Sequence, residues 1–84
     1  MSFGAPLNNP TRYQVRIFVR RRPDGPGDET YATGNANTAS RSACRDIEAG
    51  GDGSWAVVVD TETGEGACFE QADGQGHPRG PWPP

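Results

Sequence analysis

A period of two runs through residues 13–20. Tyr13, Val15, Ile17 and Val19 fall on one side of an extended chain, and Gln14, Arg16, Phe18 and Arg20 on the other. The first side is wholly apolar, so this segment is a strand that must bury one face against a second layer. Residues 54–60 (Ser-Trp-Ala-Val-Val-Val-Asp) form the other strong strand. Their apolar run covers both faces, which predicts a central or doubly covered position.

The segments between and around these strands have turn and helix chemistry. Residues 23–28 (Pro-Asp-Gly-Pro-Gly-Asp) read as a loop, and Thr30, Tyr31, Ala32 and Thr33 as a short returning strand. Residues 37–49 read as a helix capped by Asn37 or Thr38 and stopped by Gly50-Gly51. Ala36, Ala39, Ala43, Cys44 and Ile47 make its apolar stripe; their small size lets the helix lie close to a sheet. Residues 61–64 read as a hairpin turn with Gly64 at a positive φ, and residues 65–70 as the last strand. The rest is rich in Gly and Pro and reads as a disordered tail over residues 71–84.

The expected fold is therefore α+β, a single small domain over residues 12–70 in the order β-β-α-β-β. One helix packs on a mostly antiparallel sheet of three or four strands, preceded by a flexible lead-in over residues 1–11. Its core is Val15, Ile17, Val19, Ala39, Ala43, Cys44, Ile47, Trp55, Val57, Val59 and Phe69, with either Ala67 or Cys68 facing the helix. Phe18, Ala56 and Val58 would make the second sheet face sticky. Of 84 residues, 12 are Gly and 8 Pro, and only 32% are hydrophobic. A packed part of roughly 55 residues is near the lower limit for independent folding, so a disulfide, a ligand or a second copy of the chain would help it.

No secretory signal opens the chain and no apolar run approaches the ~18 residues of a membrane span, which places the protein by default in the cytosol. Cys44 and Cys68 fit no zinc spacing, and the one histidine, His77, falls in the tail. Both thiols read as small core residues, with a Cys44–Cys68 disulfide as the alternative. Ser40 and Ser42 have no nearby histidine, and Asp60, Glu62 and Glu65 frame a turn. Gly50-Gly51-Asp52-Gly53 follows a helix and does not open one, so it lacks the amide nest of a phosphate loop. With neither a nucleophile–base pair nor a cofactor motif, the sequence predicts no enzyme and no cofactor.

The residue pattern that does suggest binding is basic. The net charge is −3, yet all 8 cations are arginine, as in the codon usage of a GC-rich genome, and five lie in the first quarter of the chain. Arg12, Arg16 and Arg20, spaced by four, would project from one strand face around Phe18, with Arg21 and Arg22 extending the patch. Planar guanidinium groups suit carboxylates and phosphates. The expected function is a small protein-interaction module, an inhibitor or adaptor, using that Arg/Phe face or an open sheet edge. The alternative is nucleic-acid binding through the same patch, which the acidic remainder of the chain disfavours. Trp82, among prolines, reads as part of a spacer or a loosely folded-back end, with docking of this polyproline-like segment in an aromatic-lined groove as the alternative. Small size, acidity and layout resemble those of inhibitors and adaptors encoded by phages and mobile elements, anti-CRISPR proteins among them, a likeness of architecture alone.

Overall fold

The computed structural model describes residues 9–84. Most of the lead-in expected over residues 1–11 therefore lies outside the described residues. Residues 9–11 form a turn in which the Asn9 side chain accepts from the Thr11 amide at 3.0 Å and the Asn9 carbonyl from the Arg12 amide at 3.1 Å.

Five strands and one helix follow: β1 (Tyr13–Phe18), β2 (Glu29–Thr33), α1 (Ala36–Gly50), β3 (Trp55–Asp60), β4 (Gly66–Ala72) and β5 (Gln75–Trp82). The strands make one antiparallel sheet in the order β2-β1-β3-β4-β5, and α1 lies across one face, touching every strand. The α+β class and the β-β-α-β-β core stand as expected. Among the described residues no helix is long and apolar enough to cross a membrane.

The tail is the main correction. Residues 75–82 are β5, paired with β4 from Ala72↔Gln75 to Gly66↔Trp82. The two-residue link is Asp73-Gly74, with φ of 57° and 79°. Positive φ at both positions is a type I′ turn, whose twist matches that of the flanking strands. Pro78 and Pro81 are tolerated because β5 is an edge, and the β4–β5 register breaks between Cys68 and Phe69. The other edge, β2, carries no proline.

α1 is capped by Asn35, whose Oδ1 accepts from the Thr38 amide at 3.0 Å, two or three residues before the expected caps; at its end Gly51 has φ 98°. Beneath it lie Ala39, Ala43 and Ile47, packed on Val15, Ile17, Ala56, Val58 and Phe69. The Tyr31 hydroxyl donates to Asp46 Oδ2 at 2.7 Å and straps β2 to the helix. Burial, then this bond, pushes the phenol pKa up.

β3 faces the opposite way from expectation. The pairs Val15↔Val58 and Ile17↔Ala56 put Ala56 and Val58 under α1, while Trp55, Val57 and Val59 point to the far face. Residues opposite each other on neighbouring strands share a face. A helix that approaches through Ala39 and Ala43 leaves room for alanine and valine, and the bulky indole goes where space is open. Val19 is 45% exposed, beyond the end of β1, and does not join the core.

Candidate functional site: the helix-free sheet face

The face without a helix has its own core. Phe18 is 1% and Val57 0% exposed, and Cys68 lies beside them. Trp55, Val59 and Trp82 pack around this cluster. Arginines cover the rest: the Arg21 and Arg22 guanidinium groups lie 5.2 Å from the ring centroids of Phe18 and Trp55. Amphipathic stems thus act as a roof where a second layer of secondary structure would otherwise be needed. Phe18 is consequently a buried core residue and no exposed anchor.

The expected basic patch divides. Arg16, Arg21 and Arg22 stay with this face; Arg16 donates to Gln14 Oε1 at 3.0 Å. Arg12 lies outside β1 and makes two bonds to the Asp60 carboxylate, at 3.0 and 2.8 Å, with Glu62 at 3.5 Å. The Asp60 bond raises the Arg12 pKa and holds the Asp60 carboxyl below the usual range. Arg20 also leaves the face. β1 stops at Phe18, Arg20 turns with φ 56°, and its amide donates to the buried Ser54 Oγ at 3.1 Å. Its guanidinium lies against Gly51, where a Cβ would stand 3.1 Å from Nε. A cation at that place complements the C-terminal end of the α1 dipole. The four-residue spacing therefore does not make a single patch.

Arg21 is held by Asp28, 3.1 Å away, and this bond first, then the Val19 amide, keeps the Asp28 carboxyl below its ordinary range. From β5, Arg79 reaches Glu70 at 2.9 Å. A cleft of about 470 Å³ lies among Arg22, Trp55, Cys68, Arg79, Pro81 and Trp82, with Pro23 and Pro84 also in its lining. Sequence reasoning missed this cleft because half of its wall is β5. The signal that marks it is Asp73-Gly74, a dipeptide suited to a two-residue hairpin turn.

The cysteines do not pair. Cys44 lies on α1 against Gly76, and Cys68 lies in the far-face cluster, so the sheet separates them and both are free. Burial raises both thiol pKa values. His77, placed in β5, has Nε2 3.2 Å from the Ala72 carbonyl oxygen. A shallower depression beside Ser40, Arg41, Cys44, Arg45 and Glu48 is lined by α1 alone and is relief between neighbouring helix side chains.

No family model matches this sequence, and comparison with curated proteins and with solved structures gives no match.

Proposed function

We propose that this protein is a small non-enzymatic interaction module, of the inhibitor or adaptor kind, that docks a protein partner on the helix-free face of its sheet. The observation that carries the reading is the cleft between Trp55 and Trp82 with Arg22 at its rim. Tryptophan and arginine are the residues most often found to dominate protein–protein binding energy. A concave apolar surface with few convergent polar groups is the usual form of a recognition site. Nucleic-acid binding has less support, because Arg12, Arg21 and Arg79 each already hold a carboxylate and phosphate tracking needs several free cations.

The test is capture of a stoichiometric partner by the wild type, by Arg22→Glu and by Arg41→Glu, with nuclease present. Arg22 is exposed on the proposed face and Arg41 is exposed on α1. Capture should survive Arg41→Glu and fall at least about tenfold with Arg22→Glu, with all three proteins still unfolding cooperatively. Equal capture by Arg22→Glu would remove this face from consideration.

A further inference from the structure

The cations around the helix-free face differ in how they are satisfied. Arg21 and Arg79 are in ion pairs, and Arg16 is bonded to Gln14. Arg22 has no acid partner among the described residues and its guanidinium lies over Trp55, 5.2 Å from the ring centroid. A cation held over an indole is attracted by the ring's electron density and still presents the N–H edges of its planar fork. Those edges remain open to a carboxylate, which takes two parallel bonds from them.

The wall facing Arg22 sets the second requirement. Its Trp82 and Pro81 belong to β5, an edge strand in which Pro78 and Pro81 have no amide to donate. A peptide lying along it cannot complete a regular strand ladder. A polyproline II segment needs no ladder, because its backbone is solvated, and its proline rings pack on aromatic faces at little entropic cost. The charge balance selects the anion. Of the two arginines that line the cleft, Arg79 already holds Glu70 and Arg22 holds no acid among the described residues, so the cleft offers one guanidinium to one carboxylate.

We propose, resting on the docking-face reading above, that the cleft receives an extended proline-containing segment of the partner, with a proline ring against Trp82 and an adjacent Asp or Glu side chain clamped by Arg22. Both indoles flank the site, so their emission reports occupancy.

The experiment titrates the full chain with acetyl-Gly-Pro-Pro-Glu-Gly-amide and with the same peptide carrying Gln for Glu, following tryptophan emission. The Glu peptide should shift the emission saturably and bind at least about tenfold tighter than the Gln peptide. Added salt should narrow the gap. In Arg22→Gln, shown to be folded by a cooperative thermal transition, the two peptides should bind alike and weakly. Equal affinity of the two peptides for the wild type overturns the carboxylate clamp. Silence of both peptides at millimolar concentration overturns the ligand chemistry; if partner capture still depends on Arg22, the docking face itself survives. A saturable shift with oligo-dT and none with either peptide moves the site to single-stranded nucleic acid.

Discussion

The two faces of the sheet solve one problem by different means. Under α1 a helix brings Ala39, Ala43 and Ile47 down onto Val15, Ile17, Ala56, Val58 and Phe69. Among the described residues no element of secondary structure covers the far face, yet Phe18 and Val57 are as buried as anything beneath the helix. Their cover is assembled from Trp55, Trp82 and the arginines of the 19–28 loop. A helix makes a continuous lid held by its own backbone hydrogen bonds. A roof of separate side chains leaves gaps, and one of them is the cleft. In a chain this small, an irregularly covered core and a binding surface can be the same group of residues.

If both faces are true cores, truncating either should cost a similar amount. Phe18→Ala should lose about 3–5 kcal/mol and Ile47→Ala about 2–5 kcal/mol by urea denaturation. A loss well under 1 kcal/mol for Phe18→Ala would reduce the far face to surface decoration. Gly76→Ala probes the place where β5 meets the helix. Its Cβ would stand 2.9 Å from Cys44 Cβ and 3.0 Å from Sγ. Overpacking there should cost about 1–3 kcal/mol, and hydrogen exchange should accelerate in β5 before β1. Equal protection in both strands would mean that β5 does not depend on this contact.

A third comparison sets Asp60 and Asp28 against the remaining acids. Both are held below the ordinary carboxylate pKa by arginine. Their contribution is present above the unfolded-state value near ~4 and is lost as pH falls through the lower folded-state value. Melting temperature should therefore drop below about pH 4, and Asp60→Asn should flatten that acid limb while lowering stability at neutral pH. An unchanged limb would show that the Arg12 pair is solvent-screened. The smallest effect concerns the thiols: with Cys44 and Cys68 on opposite faces, reductant should leave the melting temperature where it was. A fall would demand a disulfide that the sheet forbids.

Strong periodicity was legible in the sequence, and composition misled. β1 and α1 declare themselves through Val15, Ile17, Ala39, Ala43 and Ile47, because each has one apolar side. β3 does not declare which side faces the helix, since Trp55, Ala56, Val57, Val58 and Val59 are apolar in both phases; only pairing with β1 decides it. β5 disappears behind its glycines and prolines, although Asp73-Gly74 marks its start. The arginine patch over-reached because spacing by four means one face only while the chain stays extended, and β1 ends two residues before Arg20. What remains of the patch, Arg16, Arg21 and Arg22, sits on the proposed face beside an aromatic cleft that strand-by-strand reading could not assemble.

The unequal edges of the sheet bear on how the protein behaves when concentrated. β5 offers a ladder broken by Pro78 and Pro81, whereas β2 offers five residues without such an interruption. Lengthening of the sheet by another molecule is thus one-sided. Two chains joined antiparallel along β2 would consume the one uninterrupted edge among the described residues of each and present β5 at both ends. Growth by edge pairing is self-terminating at two, and the prolines that disguised β5 as a tail serve as caps against filament formation.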